Sequence, residues 1–344
     1  MHDRLVLETA CDVINRTEDP LMMLVHQHEI QGKGAFLYNA AERAARNLGL
    51  VFNVGRSGAQ EAESVINLCP VRLRANIRKE QLRMLEGRHI DKPLHGQFFR
   101  NVQQLGLSAE MTFSFLRSAG LKSETEGFIF ACQDGVINTL AYRQNILHQA
   151  VQSTLCRLCR CHAETLMHLL AACPIYAVSA YIERHNAALR VLYYHLRSTY
   201  GIDATPVLPY VPTDIESVVG NESCRIYWNY SFPTSRQISA NKPDIVLVDF
   251  DDKSIFVIEF SAPAETNIVS KEDEKRMKYQ ELLFEIRKLY RGFKIKLVVL
   301  IIGVLGGMRP TFLQNIKSIP ACREHANSIA GRMQKAVLLG SLRL

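Results

Sequence analysis

The sequence predicts a multidomain α+β protein. Three observations carry that expectation. Residues 245–250 and 255–260 are rich in Ile, Val and Phe and flank the polar run 251–254, which is the pattern of a β-hairpin. Cysteine and histidine recur at metal-ligand spacing in CRLCRCHAETLMHLLAACP, residues 156–174. Long stretches on either side carry apolar residues at helical spacing.

The elements follow in chain order. Ala35, Ala40, Ala41, Ala44, Ala45 and Leu48 make residues 34–50 a helix ending at Gly49, with a short strand at 50–53. Residues 72–86 and 97–116 read as helices. Residues 127–140, 177–200 and 311–339 carry helical spacing with breaks. Pro and Thr in GIDATPVLPYVPT, residues 201–213, mark a linker before the hairpin. The longest apolar run, 297–305, is too short to span a bilayer and is expected to be a central strand.

The hairpin places two acids together. With Asp251 and Asp252 as a two-residue turn, Phe250 pairs with Lys253 and Asp244 lies opposite Glu259. Opposed residues sit roughly 5 Å apart at Cβ, and a one-residue slip would separate them. In the following helix Tyr279, Leu282, Leu283, Ile286, Leu289 and Tyr290 form one apolar face. Lys271, Lys275 and Lys278 continue that face toward the N-terminus at about 100° per residue, so at least one lysine is expected to point at the carboxylates. Asp244 and Glu259 offer the oxygen ligands that Mg²⁺ takes. Such a metal activates water and neutralises charge on a phosphate, and a nearby lysine assists. The same pattern also fits a surface hairpin with two incidental acids and a helix with ion pairs along its face.

Cys156-x2-Cys159-x8-His168-x4-Cys173 supplies four ligands for a closed tetrahedral structural zinc site. Cys161 and His162 are substitute ligands in the same stretch, and a set of buried free cysteines is the alternative. Arg157, Arg160 and Lys122 make the segment basic, which suits phosphate contacts. The 344-residue chain carries a net charge of +7 and nine cysteines, an odd number that favours a reducing compartment. Arg72, Arg74, Arg78, Lys79, Arg83, Arg88, Lys92 and Arg100 crowd one stretch and favour a nucleic-acid partner.

Several motifs in order then resemble one family. LHGQFFR (94–100) and LKSETEGFIFACQDGVINT (121–139) resemble the segment joining reverse transcriptase to zinc knuckle in non-LTR retrotransposons with a restriction-like endonuclease. CRLC…AETLMHLLAAC resembles their CCHC knuckle. YIERHN (181–186) resembles their Arg-His motif, at Arg184 and His185. KPD-x14-E, SAP and KEDEKRMKYQELLFEI resemble their endonuclease core, of the PD-(D/E)XK fold with a mixed sheet. The likeness spans roughly residues 90–305. HDRLVLETA (2–10) resembles a polymerase motif with Asp3 for its first acid and Arg4 in place of the second. NAAERAARNLGLVFNVGRSG (39–58) resembles the palm helix and strand after that motif.

The resemblance implies four parts: a truncated palm remnant at 1–66, a helical thumb or linker at 67–150, the knuckle and its following helix at 151–200, and a restriction-like endonuclease domain at 201–344. It implies structural Zn and catalytic Mg, DNA target and element RNA as partners, no membrane, and action in the nucleus after synthesis in the cytoplasm. Asp244 and Glu259 would bind Mg, with Lys271, Lys275 and Lys278 as candidates for the catalytic lysine. Arg157, Arg160, Arg184 and His185 would bind nucleic acid. No reverse transcription is expected of this chain. Ser261 stands where many PD-(D/E)XK nucleases have lysine, a role thought to move to the following helix in this family. Asn229, Glu259 and Glu265 stand where the family often has Asp. The alternative is a degenerate or host-recruited remnant that binds nucleic acid without cutting.

Overall fold

A computed structural model describes residues 2–16, 18–31, 36–48, 52, 70–202 and 215–344, with side chains in the helix at 70–90 described from Arg78 onward. The strand expected at 50–53 apart from Phe52, most of the linker at 201–213 and the side chains of Arg72 and Arg74 lie outside the described residues. The chain divides into two compact units, Met1–Lys92 and Pro93–Leu344.

In the first unit, α1 (His2–Asn15) and α3 (Phe36–Asn47) pack through Leu7, Ala10, Cys11, Tyr38, Ala41 and Ala45. Small alanines let the two helices approach closely. The buried Glu29 of α2 (Pro20–Ile30) accepts the N–H groups of Phe36 (3.3 Å) and Tyr38 (3.0 Å), capping α3 with a carboxylate where its N–H groups lack partners. Asp3 lies in α1 and accepts from Asn47 Nδ2 at 3.3 Å. Helix α4 (Pro70–Ile90) carries Arg78, Lys79, Arg83 and Arg88, and Arg83 is ion-paired with Glu80. Arg100 belongs to the second unit, where it donates to Pro93 O. The basic run is therefore shared between two units.

The second unit is mixed α+β around a five-stranded mixed sheet. Short helices come first: α5 (Gln97–Gln104), α6 (Ala109–Thr112), α7 (Phe115–Ser118), α8 (Ser123–Gln133) and α9 (Leu140–Asn145). The single helix expected at 97–116 is broken because Gly106 turns with φ +62° and Ser108 caps a new start through Met111 N–H. After the Cys/His segment come α10 (Pro174–Ala177) and the long α11 (Ala180–Thr199).

The strands are β1 (Val218–Gly220), β2 (Cys224–Trp228), β3 (Ile245–Asp249), β4 (Ser254–Ser261) and β5 (Lys294–Ile301), in that spatial order. All neighbours are antiparallel except β4 and β5. That parallel pair needs a crossover, which α12 (Ile268–Lys278) and α13 (Gln280–Leu289) provide. The helix expected over 271–290 is thus two helices, parted at Tyr279, and a uniform 100° projection does not run through both. The run 311–339 likewise divides into α14 (Pro310–Lys317) and α15 (Ala326–Leu342), with Pro320 between them.

Period-two alternation sends Ile245, Leu247, Phe256, Ile258 and Phe260 toward α11 and α15, and Val246, Val248, Ile255 and Val257 toward Tyr279, Leu282 and Ile286. β5 is an edge strand, not the central one expected. Its second half, Val298–Ile301, is apolar and buried because helices cover it, and α14 closes the open edge, with Asn315 Nδ2 donating to Val299 O at 2.7 Å. Phe98, Val102, Cys132 and Leu170 share a core with Ile268, Val299 and Ile301, so the leading helices, the Cys/His segment and the sheet form one packed body. Among the described residues no helix is long and apolar enough to cross a membrane.

Beyond β5 the chain folds around the fully enclosed Glu265, which accepts Leu305 N–H at 2.7 Å. A Cβ at Gly303 would collide with Glu265 Oε1, so glycine is required there. Burial pushes the Glu265 carboxyl up to about 7, against the pull of the Leu305 N–H and of Arg184. Between pH 4.5 and about 7 the folded chain therefore holds a proton that the unfolded chain has released. Stability from this group should be complete below that window and fall as pH rises through it, by on the order of 3 kcal/mol. Urea melts from pH 5 to 8 should show a smaller fall for Glu265→Gln than for the wild type. Parallel pH profiles for the two proteins would contradict this.

Candidate active site and metal centre

The β3–β4 register is the one that the hairpin geometry anticipates. Ile245 pairs with Ile258 and Asp249 with Ser254, so Asp244 lies across from Glu259 just beyond the ladder. The two acids are bound to each other's strands. Asp244 N–H donates to Glu259 Oε1 at 3.0 Å, and Phe260 N–H donates to Asp244 Oδ2 at 2.8 Å. Glu259 is fully buried and Asp244 is 9% exposed.

Of the three helix lysines only Lys275 reaches the acids, with Nζ 2.8 Å from Glu259 Oε2. Lys271 turns to Glu274 at 2.6 Å, and Lys278 lies 5.0 Å over the Tyr279 ring. One lysine at the acids is what the lysine stripe predicts; Lys271 is held instead by Glu274 within α12, and Lys278 by Tyr279 just beyond its end. A fourth group comes from α11. His185 Nε2 lies 3.2 Å from both Asp244 Oδ2 and Phe260 O. Both partners are acceptors, so Nε2 donates. No sequence signal connects His185 to an acid 59 residues away.

The charges explain the protonation states. Burial and the neighbouring Asp244 push the Glu259 carboxyl up to about 7, against the pull of Lys275. Burial also works against ionised Asp244, but His185, Lys275 and the Phe260 N–H outweigh it and hold this carboxyl below its ordinary value. Burial would lower Lys275 and His185, and the carboxylates raise both. Two enclosed carboxylates that need nearby cations form a donor set of the kind a hard divalent ion takes.

A cleft of about 420 Å³ opens beside this cluster and is lined by Tyr181, His185, Asn186, Asn229 and Ser261. Asn229 follows β2 with φ +46°, a conformation that Asn tolerates, and donates its N–H to Asp244 O at 2.9 Å. Arg184 also lines this cleft; it is 3% exposed, and its guanidinium donates to Leu170 O (2.8 Å) and Ser341 Oγ (3.2 Å).

The Cys/His segment brings the sulfurs of Cys156, Cys159 and Cys173 and one ring nitrogen of His168 within 4.8 Å of one another, a cluster that could hold a metal such as zinc. Cys156 and Cys159 sit on a turn closed by Arg160 N–H to Cys156 O at 2.9 Å, with Arg160 at φ +55°. His168 opens one turn of π-helix, His168–Ala172, and Cys173 follows it. His168 Nε2 is 3.3 Å from Cys159 Sγ. The Cys161 N–H, 3.5 Å from Cys159 Sγ, leads the contacts that pull the Cys159 thiol down to about 6. Burial instead pushes Cys156 up. Cys161 is exposed and points its own thiol at Cys159 O. Arg157 forms a two-pronged pair with the buried Glu164 at 2.9 and 2.8 Å, which braces the turn, while Arg160 is exposed. Purified protein should carry about one equivalent of zinc, and His168→Ala should lower both zinc content and melting temperature. Metal analysis and thermal melts check this, and unchanged values for both would sink it. No family model and no curated protein matches the chain.

Proposed function

We propose that Pro93–Leu344 is the metal-dependent DNA endonuclease portion of a non-LTR retrotransposon protein of the restriction-like endonuclease type. In this reading the sheet with α12 is a PD-(D/E)XK core that nicks target DNA for insertion. The observation that carries it is the meeting of Asp244, Glu259 and Lys275 from β3, β4 and α12. Asp244 and Glu259 would hold Mg²⁺, and the bound ion would supply an activated water and neutralise phosphate charge. Lys275 would offset the charge of Glu259 and stabilise the anionic phosphate in the transition state. His185 keeps Asp244 in one orientation through its Nε2–H. The cleft at Asn229 and Ser261 would admit the backbone strand. The Cys/His segment, with Zn bound, would act as a knuckle beside it, and exposed Arg160 would contact phosphate. The target DNA and the element RNA would be the partners, and the nucleus the place of action.

A second reading is a remnant that binds nucleic acid without cutting. It draws on Glu259, whose two oxygens are already engaged by Asp244 N–H and Lys275 and which has no exposed surface.

Supercoiled plasmid with Mg²⁺ separates the two. Nicking should fall at least 100-fold in Asp244→Asn, Glu259→Gln and Lys275→Met, and stay within about threefold of wild type in Lys271→Met and Lys278→Met. Retained DNA binding without nicking by the wild type would support the remnant. Nicking that survives Asp244→Asn and Glu259→Gln would remove these acids from the chemistry.

A further inference from the structure

The endonuclease reading concerns Pro93–Leu344 alone, and the first unit carries a feature of its own. An open groove of about 910 Å³ lies between α1 and α4. Arg4 of α1 and Arg78, Lys79 and Arg83 of α4 line it, with Leu82 and Glu86 beside them. Arg78, Leu82 and Glu86 follow one another at i, i+4 and i+8, and Lys79 and Arg83 form the adjoining row, so one face of α4 makes this side of the groove. Arg88, Lys92 and Arg100 belong to the same basic run in the sequence but are not among the described lining residues. Folding thus selects part of that run and adds Arg4 to it.

The charges do not cancel across the groove. Arg4 and Arg83 each pair with a carboxylate of their own helix, Glu8 and Glu80, and their side chains stay 47% and 73% exposed. Arg78 and Lys79 are exposed and have no ion pair or hydrogen bond among the described residues. Glu86 is the one acid in the described lining. A structural ion-pair network would set acids opposite these cations. Here like charges converge from two helices, and a concave surface of one sign concentrates its field. Exposed Arg and Lys side chains reorient freely, so that field does not depend on a single rotamer.

The lining also discriminates between polyanions. Protein partners are held largely by apolar and aromatic anchors, and Leu82 is the only apolar residue in the described lining. Nucleic-acid interfaces are polar and strongly positive, and forked guanidinium groups match phosphate oxygens. We propose that the groove between α1 and α4 binds the phosphodiester backbone of a nucleic-acid strand, independently of the acids in the second unit. Arg78 and Lys79 meet phosphates without giving up a partner, and Arg4 and Arg83 add the nitrogens that their own carboxylates leave free. Glu86 opposes the strand by like charge.

The test uses the full chain without Mg²⁺, with a fluorescent DNA duplex of about 20 base pairs and an RNA strand of about 20 nucleotides, between roughly 50 and 200 mM salt. Arg78→Gln with Lys79→Gln should weaken binding of at least one probe about 10-fold and lower the slope of log affinity against log salt by about 2, one for each cation removed. The probe affected identifies which backbone the groove takes. Glu86→Gln should tighten the same probe about threefold, a gain that loss of fold cannot mimic. Lys317→Gln with Arg323→Gln removes the same charge from exposed positions of the second unit and should leave the slope unchanged. Equal slope changes from the two pairs would reduce the effect to net charge and overturn the groove. Polyglutamate competing as strongly as RNA at equal charge would mark a peptide site and overturn it too. Binding untouched by the groove substitutions would overturn the groove and leave the endonuclease reading standing. No binding of either probe would overturn the groove, while plasmid nicking would still decide the endonuclease reading.

Discussion

Two carboxylates enclosed at one end of a sheet must be balanced by cations, and much of the second unit is arranged to satisfy that demand. Glu259 has no contact with solvent, and Asp244 has little. Each alone would bear a desolvation cost of several kcal/mol if ionised. Backbone amides from the opposite strand answer part of it, Lys275 answers from one face of the sheet, and His185 answers from α11. This balance depends on the β3–β4 register. A one-residue slip would turn Glu259 into the apolar layer beneath α11 and α15, where Ile258 and Phe260 now sit. The acids are therefore tied to the same alternation that builds the core.

The Cys/His cluster and the acids are linked through consecutive residues. His168 begins a π-helical turn, and Leu170 O within that turn accepts from Arg184. The same guanidinium meets Ser341 Oγ in α15, and Gly340 leaves room for its stem. The next residue, His185, reaches Asp244. A metal at Cys156, Cys159, His168 and Cys173 would thus hold the end of the turn on which Arg184 rests, and Arg184 in turn sets where His185 lies on α11. Coupling of this kind passes through a chain of hydrogen bonds with few rotatable parts.

What could be read from sequence followed its periodicities. A two-residue turn at Asp251 and Asp252 between the apolar runs was enough to place Asp244 opposite Glu259. Cysteine spacing was enough to bring four ligands together. Local patterns failed where the deciding contact was remote. The lysine stripe could not single out Lys275, since the break at Tyr279 lies inside an unbroken apolar pattern. Arg184 is legible only through the resemblance of its motif, and nothing local points to its partners Leu170 and Ser341, which lie up to 157 residues away. The run 297–305 looked central because a strand covered by helices has the same composition as one flanked by strands.

Under the proposed reading, Ser261 shows how the lysine position can differ without changing the charge arrangement. It lies two residues beyond Glu259 and so projects to the same face of β4. A lysine there would have to fold back to reach the Glu259 carboxylate. Lys275 approaches from α12, with its ammonium 2.8 Å from Glu259 Oε2 and 5.9 Å from the Tyr279 ring centroid. The strand position is then free to carry a small hydroxyl at the edge of the open cleft. Under the proposed reading, moving the cation from strand to helix keeps the pairing with the acid and clears the approach for a backbone phosphate. The bulk that a lysine at 261 would place in that approach is carried instead by α12, on the protein side of the acids.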